Sequence, residues 1–272
     1  MNNIERKIKG NLLFDVEDNQ EDTTINISEN INISENINTN TNTNYNENNK
    51  DISVGLNHND ERKKMLKFAN TKRPPACGLI IIDNFYNNAL DTRNYVLTQE
   101  FSVKGNYPGQ RTISYANEHL KEVIQKYVEP FGGKISQFPI PKTDLSDAGS
   151  IYNGAFQYTT SRDRSWVHVD SWNNWAGVLF LTPDAPLSAG TAFYRFQDGT
   201  TLDADNKLLD NKSETDNYSQ DLTKWEMVDR VGNVFNRLIL FNSHRYHMSM
   251  DYFGDCKENG RLFQVFFFTT ER

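Results

Sequence analysis

The chain has 272 residues, a formal net charge of −7 and 12% aromatic residues, enough apolar bulk for one sizeable core. Residues 1–65 carry 12 acidic and 7 basic side chains, so the remainder is nearly balanced and lacks the basic footprint of a nucleic-acid partner. No apolar run approaches the roughly 20 residues of a membrane span, and the first residues lack the basic, apolar, small-residue order of a signal peptide. A cytoplasmic protein without a membrane partner is expected, with Cys77 and Cys256 as reduced, unpaired thiols.

Residues 1–70 read as a disordered Asn-rich tail. They hold the tandem repeat Ile25-Asn-Ile-Ser-Glu-Asn30 and Ile31-Asn-Ile-Ser-Glu-Asn36, then an Asn/Thr run, and bury too little apolar surface to offset the entropy of ordering. One folded domain is expected over 77–272. Leu79-Ile-Ile-Ile82, compact and β-branched between Gly78 and Asp83-Asn84, predicts a short buried strand. A helix is expected over about 88–101, a turn at Tyr107-Pro-Gly109, and a second helix over 116–130, where Leu120, Val123, Ile124 and Tyr127 recur at helical spacing.

From Ile151 the pattern changes to short strands: 151–159, 166–169, 176–182, 191–196, 235–241 and 262–269. Short strands between polar turns predict a mainly β (α+β) sandwich or barrel behind two helices, and not alternating βαβ units. Gly190-Thr191 reads as a turn ahead of a strand. The acidic, Asn-rich stretch 198–221 reads as a long surface loop or lid.

His168-Val-Asp170 carries the first chemical signal. A spacing of two on an extended chain puts both side chains on one face, where imidazole and carboxylate can share a metal. Alone the pair is also what a solvated surface would show. A second His about 80 residues on completes two His and one carboxylate, the set that leaves open positions on non-haem iron(II). His244 and His247 compete for that place. His247 re-enters the strand region and is preferred, and His244 falls in the turn as a solvated residue. Arg261 opens the last apolar strand, fourteen residues beyond His247. Either it is buried and needs an anion, for which its planar fork suits a carboxylate, or it is exposed and paired with Asp251 or Glu258.

With these residues in view, the chain resembles the 2-oxoglutarate and iron(II) dioxygenase superfamily. It looks closest to the prolyl-hydroxylase-like branch and, within that, to a phage and bacterial family. The carriers lie within 78–272: Asp83-Asn-Phe-Tyr86, Tyr107-Pro-Gly-Gln-Arg-Thr112, His168-Val-Asp170, Trp175-Ala-Gly-Val-Leu-Phe-Leu-Thr182, Gly190-Thr-Ala-Phe-Tyr-Arg195, Asn236-Arg-Leu-Ile-Leu-Phe241, His247 and Arg261-Leu-Phe-Gln-Val-Phe-Phe-Phe268. The resemblance implies a double-stranded β-helix of jelly-roll, cupin-like form. It implies iron(II) on His168, Asp170 and His247, the distal carboxylate of 2-oxoglutarate on Arg261, and O2 as co-reactant, with hydroxylation of a peptidyl residue, amino acid or small metabolite and release of succinate and CO2. Tyr158, ten residues before His168, matches a cosubstrate-binding Tyr of the branch or is a core aromatic. The aromatic near the metal His is Trp166, at an offset different from the usual one. Asp170 points to hydroxylation, because related halogenases replace that carboxylate with a small residue.

Trp172 and Trp175 line a substrate mouth or serve packing, which is preferred for Trp175. Arg111 and Arg195 hold substrate or cosubstrate, or pair structurally. Two competing classes remain: a catalytically silent β-helix binding protein, and a cupin-like metalloenzyme that would have no use for Arg261.

Overall fold

The structure, a computed structural model, describes residues 77–170, 172–196 and 218–271. The expected tail and nearly all of the expected 198–221 loop lie outside these. The elements in order are β1 (Leu79–Ile82), α1 (Ala89–Leu97), β2 (Gln110–Ser114), α2 (Glu118–Gly132), β3 (Lys134–Gln137), β4 (Ala155–Thr159), β5 (Trp175–Phe180), β6 (Thr191–Phe196), β7 (Trp225–Val231), β8 (Leu238–Asn242), β9 (His247–Ser249) and β10 (Arg261–Glu271). Short 3-10 turns at Leu187–Ala189 and Leu222–Lys224 lead into β6 and β7. The chain is therefore mainly antiparallel β with few helices.

The major sheet has seven strands in the order β1-β8-β5-β10-β4-β2, with β3 also on β10, and the minor sheet is β7-β6-β9. Strict alternation sorts the side chains of the major sheet. Leu238 and Leu240 of β8, Trp175 and Leu179 of β5, and Leu262, Phe266 and Phe268 of β10 pack with α1 and α2 in the main core. The intervening Ile239, Phe241, Ala176 and Phe180 pack against Phe193 and Val231 of the minor sheet. Because both faces of β5, β8 and β10 are covered, these strands are apolar almost throughout.

Helix α2 forms where its apolar residues fall on one stripe: Leu120, Val123, Ile124 and Val128 are buried, with Tyr127 at the edge. Its N-terminus is capped by Asn117, whose side chain accepts from the Leu120 N–H at 2.8 Å. The Tyr107–Gly109 turn closes on Gly109 at φ +75°, where a Cβ would lie 2.0 Å from the Tyr158 carbonyl oxygen, so only glycine is tolerated. Cys77 and Cys256 are both free. No helix among the described residues is long and apolar enough to cross a membrane.

Several boundaries differ from expectation. β1 is an edge strand with Ile81 exposed, not a buried one. α1 ends at Leu97. The expected strand at 151–159 begins only at Ala155. The expected strand at 166–169 is a single bridge pairing His168 with His247: the Val167 N–H turns to Ser219 O and the Asp170 N–H to Ser243 O, so no ladder continues. Strands β2, β3 and β7 were not expected, whereas β9 is the short strand on which His247 re-enters the sheet.

Candidate metal centre

The bridge at His168 builds the site. His168 N donates to His247 O at 3.0 Å and His247 N returns a bond to His168 O at 2.9 Å, which holds the His168-Val-Asp170 segment beside β9. Asp170 N is fastened to Ser243 O at 2.8 Å in the turn after β8. Side chains two apart on this extended segment face the same way, and His247 faces them from across the bridge.

The three groups converge. His168 Nε2 lies 3.9 Å from Asp170 Oδ1 and His247 Nε2 lies 3.4 Å from Asp170 Oδ2. One ligand atom from each residue lies within 4.8 Å of the others. Each imidazole is oriented by a backbone carbonyl two residues earlier: His168 Nδ1 bonds Trp166 O at 3.0 Å and His247 Nδ1 bonds Arg245 O at 2.9 Å. A carbonyl accepts only from N–H, so both Nδ1 atoms carry the proton and both Nε2 lone pairs point into the gap. Phe241 packs edge-on to His247 at 4.7 Å between ring centroids.

The electrostatics favour ligation. Burial first, and then the neighbouring His247, hold the His168 pKa down to about 4, against the opposing pull of Asp170. It is therefore a neutral donor at pH 7. Burial alone would raise the Asp170 pKa, but the His247 hydrogen bond, both imidazoles and Arg111 outweigh it and keep the carboxyl below its ordinary value. His244 sits in the turn between β8 and β9, outside the cluster.

The cluster lies in a cavity of about 450 Å³ between the sheets, lined among others by Arg111, Gln157, Thr191, Phe263, Val265 and Phe267. That size is usual for small-molecule sites, about 300–1,000 Å³. Arg261 is 0% exposed and sits on the cavity side of β10 by alternation with Phe263, its guanidinium carbon 4.3 Å from the Phe263 ring centroid. Its Nε donates to Ala189 O at 2.9 Å and Nη2 to Gly190 O at 3.4 Å. It pairs with neither Asp251, which takes Arg230, nor Glu258. Gly190 must be glycine because β7 comes so close that a Cβ there would lie 1.8 Å from Val231 O. Arg261 Nη1, Thr191 Oγ1 and Tyr252 Oη are all buried without a hydrogen-bond partner among the described residues.

Tyr158 is not brought to this place. It follows Gln157 on β4, so it points the other way, into the helix-side core, where its ring meets Phe101 edge-on at 5.0 Å; the neighbouring Gln157 lines the cavity instead. Trp175 is also packing: it stacks on Phe268 at 6.2 Å and donates to Thr270 Oγ1 at 3.0 Å. Arg195 pairs with Glu226 at 2.5 Å on the surface. Trp172, 68% exposed, stands at the cavity mouth.

Residues 69–267 match the model of a family of unknown function, DUF6445. The chain belongs to that family. No curated protein matches the sequence. Among solved structures, the DUF6445 chain is similar to HygX from Streptomyces hygroscopicus with nickel and 2-oxoglutarate bound, at 11% identity and a TM-score of 0.50 over 77% of this chain and 87% of that one. A prolyl hydroxylase from Trichoplax adhaerens in complex with a hypoxia inducible factor peptide fragment matches at 11% identity and TM-score 0.39, covering 79% and 94%. A prolyl-4-hydroxylase from Pseudomonas putida matches at 15% and 0.37, covering 72% and 94%. The likeness to HygX is one of fold.

Proposed function

We propose that this chain is an iron(II)- and 2-oxoglutarate-dependent dioxygenase on a double-stranded β-helix, with His168, Asp170 and His247 as metal ligands and Arg261 as the clamp for the distal carboxylate of 2-oxoglutarate. The observation that carries the proposal is the convergence of two Nε2 lone pairs and one carboxylate on one gap, each imidazole tied behind to a backbone carbonyl. Two His and one carboxylate leave sites open for a bidentate cosubstrate and O2.

The cosubstrate also fits the donors present. A buried guanidinium N–H without an acceptor, beside a threonine and a tyrosine hydroxyl that also lack partners, calls for a ligand rich in acceptor oxygens. Thr191 directly follows the two carbonyls that hold Arg261, and the Tyr252 hydroxyl is near enough to act on the Arg261 charge. A carboxylate supplies both the acceptors and the counter-charge.

When bound, iron(II) and 2-oxoglutarate supply an oxidant derived from O2, with release of succinate and CO2, that hydroxylates a substrate C–H bond. The protein positions both and keeps the cavity dry: Phe241, Phe263, Val265 and Phe267 form an apolar wall. Asp170 fills the place a halide would need, which favours hydroxylation.

Anaerobic titration of the full chain with iron(II) and 2-oxoglutarate tests the reading. A visible metal-to-ligand charge-transfer band that is lost in His247→Ala and in Arg261→Ala supports it. No band in the metal-loaded wild type overturns it and leaves a binding protein on the same fold.

A further inference from the structure

Arg111, expected to hold substrate or cosubstrate or to pair structurally, has no role in the dioxygenase reading beyond its charge on Asp170. It stands on β2 facing the cavity, 5% exposed. Its Nε donates to Gln157 Oε1 at 2.9 Å, and Nη2 donates to the same oxygen. Gln157 is itself fixed, since its Nε2 donates to Pro108 O at 2.6 Å. The guanidinium carbon lies 3.6 Å from the Tyr107 ring centroid and 4.9 Å from that of Tyr152.

One edge of the cation is therefore held by Gln157 and two aromatic rings pack beside it, while Nη1 meets no hydrogen-bond acceptor among the described residues. Every group that holds it is neutral. Positioned in this way, a guanidinium keeps its charge and a free fork for an anion. Burial lowers the Arg111 pKa to about 10, which leaves it charged at pH 7.

No carboxylate among the described residues pairs with it directly, and Asp170 acts on it only at longer range. Asp170 is the one carboxylate among the described lining residues and Arg111 the one Lys or Arg, and Asp170 belongs to the metal cluster. In the dioxygenase reading, iron(II) is offset by Asp170 and part of the 2-oxoglutarate dianion, and Arg261 by the rest. The charge on Arg111 then remains in excess. An uncompensated buried charge is costly, so the occupied cavity calls for one more anion.

We propose that Arg111 anchors a carboxylate of the substrate, so that the site oxidises a small carboxylic acid with an apolar body, and not a residue inside a peptide chain. This rests on the dioxygenase reading. The rest of the cavity suits such a molecule: Tyr107, Tyr152, Trp166, Trp172 and Tyr246 line it with aromatic surface, and the volume admits a small body beside the cosubstrate.

The test uses the full chain loaded with zinc and 2-oxoglutarate, observed through arginine side-chain 15N–1H resonances. Acetate and benzoate are titrated in, with acetamide and benzamide as uncharged controls. The expected result is a saturable shift of the Arg111 resonance by the acids and none by the amides, with Arg261 unmoved. Arg111→Lys, checked for an unchanged melting temperature, weakens benzoate affinity, measured by isothermal titration, at least about tenfold because a point charge replaces the fork.

No response of Arg111 to either acid overturns the proposal, as does a benzoate affinity that Arg111→Met leaves unchanged. Displacement of 2-oxoglutarate by the acids, seen as loss of the iron charge-transfer band, also overturns it by making Arg111 the cosubstrate clamp. The two readings fail separately. A missing band in wild type sinks the dioxygenase, whereas the Arg111 response is read on the zinc protein without any turnover.

Discussion

His168 and His247 are joined through their backbones, each donating its N–H to the other's carbonyl at 3.0 and 2.9 Å. The register of the two imidazoles is thus set by main chain and survives loss of either side chain. His247→Ala is expected to leave the fold in place and to weaken metal binding by more than about 100-fold, beyond the usual effect of losing an outer-sphere partner. A competition titration with a chromophoric chelator measures the loss, with circular dichroism as the control for folding.

Arg261 is buried whole, with one N–H unsatisfied. Replacing a buried charge by an apolar side chain of similar length is often neutral or stabilising. Arg261→Met is therefore expected to keep or raise the melting temperature while abolishing 2-oxoglutarate binding. A variant that melts lower and still binds 2-oxoglutarate would show that Arg261 serves the fold alone.

Tyr158 faces the helices. Its hydroxyl has no route to the cavity side of β4, so Tyr158→Phe is expected to leave 2-oxoglutarate affinity within about twofold of wild type, the scale of a surface change. Isothermal titration with an inert metal decides this.

Tyr86 ties α1's approach to the centre of the major sheet: its hydroxyl donates to Gln264 Oε1 at 2.6 Å, fully buried. Tyr86→Phe leaves that oxygen unsatisfied and is expected to cost about 1–3 kcal/mol, read from urea unfolding. Burial holds the Tyr86 pKa well above its ordinary 10, more than the Gln264 bond lowers it. The folded state keeps a proton that the unfolded chain releases, so this contribution is intact below pH 10 and is lost as pH rises beyond it. The alkaline limb of the stability profile is expected to flatten in Tyr86→Phe.

Much of this was legible where a pattern is carried by apolar residues. Helix α2 shows a helical stripe, and β5, β8 and β10 are apolar on both faces because both are covered. β7 was hidden for the opposite reason: five of its seven residues are exposed, so no alternation marks it. β2 is short and carries Arg111 and Thr112 inward. The motif residues His168, Asp170 and His247 were found by spacing, and the structure brings them together. Tyr158 was singled out because it matches a cosubstrate-binding Tyr of the resembled branch, but side chains on a strand alternate, and it is the neighbouring Gln157 that faces the cavity. Arg111 was left between holding substrate or cosubstrate and pairing structurally, since its holder Gln157 lies 46 positions away and no local pattern announces such a pair.

β10 comes last of the described strands, yet it lies in the interior of the major sheet between β5 and β4. Its pairings span long stretches of chain, and such topologies fold slowly because loop closure precedes any reward. Phe263, Val265 and Phe267 travel on it, so the cavity gains its floor only when this strand inserts. Before that moment the histidines of the bridge can already be in register, but nothing separates them from solvent. The cavity floor and the buried Arg261 thus arrive together, carried by one strand.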